Sequence, residues 1–168
     1  MPTILQTPRL FLREFTIDNT GFIVRLLNSP GWLKFIGDRN VKTEEQAQDY
    51  LLNGPIKSYR ENGFGLSLVG TKDNDTPVGM CGLVKRSNLD HPDIGFASLP
   101  EFMGQGYAHE IAQAMLTYAR EVLHIKQVLG ITVPDNQASI NLLQKVGLKF
   151  DKSFAFSDDD KELLLFRS

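Results

Sequence analysis

The stretch IGFASLPEFMGQGYAHE, residues 94–110, joins an apolar segment to the start of a helical segment through a turn with two glycines. Glycine adopts backbone conformations that other residues avoid, and it lets a ligand approach the main chain closely. The first N–H groups of a helix lack partners within it, and the helix dipole favours negative charge there. A strand, a glycine turn and a helix in this order therefore predict an anion site at Gly104 and Gly106.

Strands and helices alternate outward from this turn. The clearest helix covers residues 107–123, where apolar residues recur at spacings of three and four. Shorter helices are expected in the first 62 residues and over residues 135–147. β-rich runs predict seven strands, at residues 7–15, 64–71, 78–86, 91–99, 126–133, 148–156 and 162–168. The fold class is therefore an α/β domain with a mixed (α+β) sheet, and we expect one domain over residues 1–168.

Composition excludes several classes of function. The 168 residues carry a net charge of −2 and a pI near 5.9, so the chain has no basic footprint for nucleic acid. It has no run of apolar residues long enough to cross a bilayer, and no signal-peptide pattern at its start. The one cysteine, Cys81, cannot form an internal disulfide. We expect a cytoplasmic protein without a membrane or nucleic-acid partner.

Three phosphate-binding patterns compete for the glycine turn. A P-loop ends in Gly-Lys-Ser/Thr, but this turn ends in Gly106-Tyr107-Ala108. A dinucleotide fingerprint needs a third glycine at the position of His109. The acyl-CoA loop needs Gln/Arg-x-x-Gly-x-Gly/Ala, which the turn approaches. An anion at a helix start gains only about 0.3–2 kcal/mol, whereas a micromolar ligand needs roughly 8 kcal/mol, so the ligand must bury other parts elsewhere.

The same stretch resembles the GNAT acetyltransferases, and in particular their RimJ/RimL-like branch of ribosomal-protein N-terminal alanine acetyltransferases. In that branch the usual form is close to I-G-Y-x-L-x-P-x-F-W-G-K-G-Y-A-T-E. Two further stretches match the branch in the same order, TPRLFLREF at residues 7–15 and NQASINLLQKVGLKF at residues 136–150. The resemblance implies the acyl-CoA N-acyltransferase fold, with a mixed sheet of about six or seven strands and flanking helices.

The resemblance also implies acetyl-CoA as the cofactor, with CoA as product, and it implies which residues bind it. Backbone groups of the turn would cradle the pyrophosphate, with His109 on the first turn of the helix. The preceding strand would line the pantetheine arm, and a later helix start would form the other edge of the cleft. These residues are Phe96, Ala97, Ser98, Met103, Gly104, Gln105, Gly106, Tyr107, Ala108, His109, Asn136, Ser139 and Asn141. Met103 and His109 depart from the usual pattern.

Acetyl transfer to an amine needs a base and a proton donor for the leaving thiolate. Asp93 is the first candidate base, directly or through water, because several GNAT enzymes carry a carboxylate at this place in the strand. A solvated aspartate at a strand end is an equal alternative. Glu101 in the turn is the second candidate base, with an outward-facing surface charge as its alternative. Glu110 in the first helical turn would in any case favour the dipole. Ser139 is the candidate acid, because Leu143 stands where many GNAT enzymes have tyrosine; an ordinary serine at position N3 of the helix is an equal alternative.

Two kinds of function remain open at this point. The first is an N-acetyltransferase acting by direct attack in a ternary complex on a primary amine, either a protein N-terminus or a small amine. The second is a CoA-binding sensor or interaction module without catalytic activity. The three histidines show no metal-ligand spacing, so no metal is expected. The oligomeric state, a homodimer included, is left open.

Overall fold

The computed structural model describes residues 2–168 and contains eight strands and six α-helices in that range. The strands are β1 (Thr3–Gln6), β2 (Leu10–Arg13), β3 (Ser67–Thr71), β4 (Pro77–Val84), β5 (Asp93–Ser98), β6 (Leu129–Thr132), β7 (Lys149–Phe154) and β8 (Leu163–Arg167). The helices are α1 (Thr20–Leu27), α2 (Pro30–Phe35), α3 (Glu44–Asn53), α4 (Pro55–Asn62), α5 (Tyr107–Glu121) and α6 (Gln137–Lys145). Short 3₁₀ turns cover Ile17–Asn19 and Pro100–Phe102.

All eight strands form one sheet in the order β1-β2-β3-β4-β5-β6-β8-β7. Every neighbouring pair in residues 2–168 is antiparallel except β5 and β6, which are parallel. Their pairing is short and joins only Asp93 to Leu129 and Ile94 to Gly130. Beyond these residues β5 continues to Ser98 against β4, and β6 continues to Thr132 against β8. The two central strands therefore diverge and leave a wedge-shaped cleft.

Helices cover both faces of the sheet. Side chains alternate between faces along a strand, and in β4 Cys81 and Leu83 join the cluster under α5 and α6 while Met80 joins the cluster under α1, α2 and α3. The mixed α/β fold expected from the sequence is confirmed. The isolated cysteine is fully buried, and burial raises the pKa of its thiol to about 12, so Cys81 is a core residue.

The sheet has one strand more than the sequence indicated. Residues 3–6 pair with β2 as β1, and the expected first strand is shorter than residues 7–15. Thr7 donates from its backbone N–H to the carbonyl of Leu10 over 2.9 Å, which closes a turn across Pro8 and Arg9. Proline has no N–H to donate to a ladder, so a strand does not run through this position.

Candidate active site

The glycine turn between β5 and α5 has the backbone conformation of a ligand cradle. Gly104 and Gly106 have φ angles of 78° and 81°, in the left-handed region that favours glycine. Gly106 is the N-cap residue of α5, and no side chain in residues 2–168 caps this helix start. The first N–H groups of α5 therefore have no partner within the helix and are free for a ligand. Among the turn residues, Met103 is 54% exposed, and Gln105 donates from Nε2 to the Glu101 carbonyl over 3.4 Å.

The strand and the turn predicted to bind one ligand form a continuous wall. A nearly filled space of about 10 Å³ lies between β5 and the start of α5. Its lining includes Phe96, Ala97 and Ser98 of β5 and Tyr107 and Ala108 of α5. Among residues 2–168, the edge of β5 that faces β6 has no strand partner after Ile94. Its N–H and C=O groups can therefore pair with an extended ligand, as an unpaired strand edge does with an added chain.

The second wall of the cleft comes from β6 and α6. Both α5 and α6 begin just after the carboxyl ends of the two parallel strands, so both helix starts lie at the open end of the wedge. Asn136 accepts a hydrogen bond from the Ser139 N–H over 3.3 Å and caps α6. Asn141 is exposed and accepts from Gln137 over 2.8 Å. The fold thus places Asn136, Ser139 and Asn141 across the wedge from the glycine turn.

Asp93 lies at the opposite, closed end of the cleft. Its five-residue separation from Ser98 corresponds to about 16 Å along β5. The side chain is buried, and Arg86 donates from Nε to Oδ1 over 2.9 Å. Burial raises the pKa of Asp93, and the Arg86 charge and hydrogen bond oppose that rise. A carboxylate with a raised pKa accepts a proton more readily than a solvated aspartate.

The other candidates for proton transfer have different surroundings. Glu101 is 46% exposed and forms an ion pair with Arg25 of α1. Leu143 is 1% exposed, and a Cβ added to Gly130 of β6 would lie 2.6 Å from its Cδ2. The position where many GNAT enzymes have tyrosine is therefore a core position between α6 and β6. Ser139 remains a half-buried hydroxyl-bearing residue on the first turn of α6.

A groove of about 300 Å³ opens on the α3–α4 side of the sheet. Val84, which lines this α3–α4 groove, pairs across the strands with Asp93. Leu66, which also lines it, approaches Gly95 of β5, since an added Cβ there would lie 3.0 Å from Leu66 Cδ2. The groove therefore reaches the sheet beside Asp93. Its lining side chains with polar groups are Tyr50, Asn53, Lys57, Ser58, Glu61, Asn62 and Lys85.

Two arginines near the candidate site were not predicted from the sequence as site residues. Arg86 follows β4 and pairs with Asp93 across the loop between the two strands. Arg9 lies beside the glycine turn, where its Nη2 would be 3.3 Å from a Cβ added to Gly106. The stretch TPRLFLREF, which contains Arg9, stands out in the sequence, but only the fold reveals that it meets α5.

Other site classes have no support in the described part of the chain. No group of three or more His, Cys, Asp or Glu side chains in residues 2–168 is arranged to hold a metal ion. Over the same residues no helix combines the length and the apolar character needed to cross a membrane.

Comparison with known families gives a match over most of the chain. The family described as "Acetyltransferase (GNAT) domain" matches residues 9–149. The uncharacterised Bacillus subtilis protein YkkB is 32% identical over 156 residues, which cover 90% of this chain and 88% of YkkB. The FsC-acetyl coenzyme A-N(2)-transacetylase of Aspergillus fumigatus is 30% identical over 160 residues, which cover 89% of this chain and 66% of that protein.

Solved structures agree on the fold. A RimL ribosomal alpha-N-protein acetyltransferase in complex with coenzyme A superimposes with a TM-score of 0.84. The match covers 99% of this chain and 97% of that chain at 18% sequence identity. At this identity the likeness concerns the fold, which is the one expected from the glycine turn and its flanking motifs.

Proposed function

The chain belongs to the GNAT acetyltransferase family, and we propose that it moves an acetyl group from acetyl-CoA to a primary amine. The observation that carries this proposal is the wedge between β5 and β6, with the uncapped start of α5 at its open end. The free strand edge suits an extended amide-containing arm, and the glycine turn suits a pyrophosphate. One parallel pair thus offers both surfaces that a CoA thioester requires.

The residues present fit CoA. A Cβ-bearing residue would be strained at Gly104 and Gly106, so the turn keeps the open backbone that a phosphate cradle needs. Backbone N–H groups of residues 103–108 would hold the pyrophosphate, with His109 beside them. Phe96, Ala97 and Ser98 would line the pantetheine arm from one side. Asn136, Ser139 and Asn141 would bound it from the other, and the bound thioester would supply the activated acetyl group.

The acceptor amine would enter through the α3–α4 groove. This groove meets the sheet at Val84, directly across from Asp93. Asp93, with its raised pKa, would take the proton from the amine, directly or through one water. At neutral pH, deprotonation costs on the order of 1 kcal/mol for an α-amino group and 4–5 kcal/mol for lysine, so a weak base suffices for an N-terminus.

The proton donor for the departing thiolate would be Ser139, which would pass its hydroxyl proton to the sulfur while solvent returns a proton to Oγ. Its hydroxyl lies on the first turn of α6, and its own N–H is already held by Asn136. Leu143 cannot serve, because it is an alkyl side chain packed against Gly130. Glu101 stays the second candidate base, although its side chain is exposed at the surface and forms an ion pair with Arg25.

The names of the relatives bear on the acceptor. The Aspergillus relative is named as an N(2)-transacetylase, and the RimL structure as an alpha-N-protein acetyltransferase. Both names describe acetylation of an amine, one on a protein N-terminus. We infer that the acceptor of this chain is a primary amine, with a peptide N-terminus as the first class to assay.

A catalytically inactive CoA-binding module is the second candidate function. Two observations favour it: Leu143 is buried in the core, and Asp93 is engaged by Arg86. Such a module would bind acetyl-CoA and modify no amine.

A CoA-release assay separates the two candidates. Acetyl-CoA is incubated with the protein and a panel of N-terminal peptides, polyamines and small amines, and free thiol is followed. Release with at least one amine, together with acetylated product in the mass spectrum, supports the transferase. Acetyl-CoA binding with no acetylated product across the panel supports the binding module.

A further inference from the structure

A hydrogen-bonded cluster fastens the turn before β2 to the first turn of α5. The Glu110 carboxylate accepts from the Thr7 hydroxyl over 2.5 Å, from the Arg9 backbone N–H over 3.0 Å and from Arg9 Nε over 2.8 Å. Thr7 Oγ1 in turn accepts from the Leu10 N–H over 3.0 Å. Two segments about one hundred residues apart in sequence are therefore held together beside the glycine turn.

The cluster fixes the Arg9 guanidinium against this turn. Its central carbon lies 4.6 Å from the ring centroid of Tyr107, the first residue of α5. Its Nη2 would be 3.3 Å from a Cβ on Gly106, the N-cap of the same helix. Arg9 therefore lies over the Tyr107 ring and beside Gly106 at the start of α5, and 47% of its side chain is exposed.

Most of the hydrogen-bonding capacity of Arg9 is unused. A guanidinium has five N–H donors, and Nε supplies one. Neither Nη1 nor Nη2 donates to a protein acceptor within residues 2–168. The hydrogen bonds to Glu110 contribute to stability, but an ion pair to the half-exposed Arg9 side chain adds little to it. Stability alone therefore does not explain why a carboxylate and an aromatic ring orient this guanidinium. The side chain is half-exposed, so these unused donors are accessible beside the free N–H groups of the helix start.

We infer that Arg9 binds the pyrophosphate of CoA and that Glu110 and Tyr107 position it; the inference rests on the proposed function. The planar fork of a guanidinium suits two phosphate oxygens, which is the geometry that Nη1 and Nη2 offer. Arg9 also neutralises Glu110, whose carboxylate would otherwise repel an anion one helical turn away. The pyrophosphate is favoured over the 3′-phosphate because Arg9 lies over the Tyr107 ring and beside Gly106, both part of the cradle itself.

The test compares Arg9→Gln with Arg13→Gln by calorimetric titration of CoA and of 3′-dephospho-CoA. Arg13 is a matched control, since it is an arginine of β2 that pairs with Asp75 at 3.4 Å, away from the turn. Losing a charge-assisted contact is expected to weaken binding about tenfold or more in Arg9→Gln. The loss should be equal for both ligands, because both keep the pyrophosphate, and Arg13→Gln should bind like the parent protein.

Three outcomes would overturn parts of the inference separately. Equal CoA affinity in Arg9→Gln and the parent removes Arg9 from the site. A loss confined to CoA, absent with 3′-dephospho-CoA, moves Arg9 to the 3′-phosphate and contradicts the pyrophosphate assignment. If the parent protein itself does not bind CoA, the proposed function is contradicted, and not only this inference. Arg9→Lys keeps the charge without the fork, and an intermediate affinity is expected from it.

The positioning role of Glu110 has its own readout. Glu110→Gln should weaken CoA binding in the parent background, because Arg9 loses its charged partner. In the Arg9→Gln background the same change should cause no further loss, because no guanidinium is left to orient, and affinity should recover in part, because the carboxylate that repels the anion is removed. Equal losses in both backgrounds would show that Glu110 does not act through Arg9. Thermal unfolding of all four proteins identifies any variant that fails to fold.

Discussion

Arg86 donates from Nε to Asp93 Oδ1 over 2.9 Å at the closed end of the β5–β6 cleft. Asp93 is 3% exposed, whereas the side chain of Arg86 is 41% exposed. One member of the pair is therefore buried beside the α3–α4 groove, and its partner reaches solvent. The ion pair with Arg86 favours the ionised form of the Asp93 carboxylate, which we propose as the base.

The first prediction concerns the pH dependence of turnover. Burial raises the pKa of Asp93 and Arg86 lowers it, so Arg86→Gln should raise that pKa further. The acid limb of kcat, measured at saturating acceptor, should move to higher pH in Arg86→Gln. Asp93→Asn should lose this limb and lower kcat by about 100-fold or more.

Glu101→Gln is the comparison variant, because Glu101 is the second candidate base. Its ion pair with Arg25 is exposed, and its removal should leave kcat and the acid limb unchanged. If the acid limb of kcat does not move in Arg86→Gln and persists in Asp93→Asn, Asp93 is not the base. The same result with a loss of turnover in Glu101→Gln would assign the base to Glu101.

The second prediction concerns the packing of Leu143 against Gly130. Leu143→Tyr would add volume where Cδ2 already lies 2.6 Å from the Cβ position of Gly130. Overpacking of this kind costs roughly 1–3 kcal/mol, so the free energy of unfolding in urea should fall by about that amount. Turnover should not rise, because the new hydroxyl would not lie in the cleft. A stable Leu143→Tyr variant with faster turnover would contradict the core assignment.

The third prediction concerns stability at acid pH. Burial raises the pKa of Glu110, but hydrogen bonds from Thr7 and Arg9 together with the Arg9 charge outweigh burial and bring it below its ordinary value of 4.5. A carboxyl with a lowered pKa in the folded state stabilises the fold above that ordinary value, and this contribution is lost as pH falls through the lowered one. The stability difference between the parent and Glu110→Gln should therefore be present near neutral pH and shrink below about pH 4.5. A difference that is constant from pH 3 to pH 7 would show that the ionised carboxylate contributes nothing there.

The glycine turn was predictable because its signal is local. Gly104, Gly106 and the apolar spacing after Tyr107 stand within one short stretch, and in the structure both glycines have a left-handed backbone. The divergence of β5 from β6 was not predictable, because strand pairing joins residues far apart in sequence. The cluster of Glu110 with Arg9 spans 101 positions and has no local pattern.

The resemblance to a family predicted only some of the other residues of the candidate site. It pointed to Asp93, but not to Arg86, which sits in the loop before β5 and has no counterpart in the quoted motifs. It marked TPRLFLREF without giving Arg9 a role. Strand β1 was missed because residues 3–6 form too short an apolar run to predict a strand without its partner.

The most direct test of a CoA site at the glycine turn is a calorimetric titration of acetyl-CoA into the parent, Gly106→Glu and Gly63→Glu. Gly63 ends α4 with a φ of 78°, close to the 81° of Gly106, so both variants add the same charge and similar strain. We predict micromolar binding to the parent and to Gly63→Glu, and no measurable binding to Gly106→Glu. Unchanged acetyl-CoA affinity in a folded Gly106→Glu protein would contradict the site.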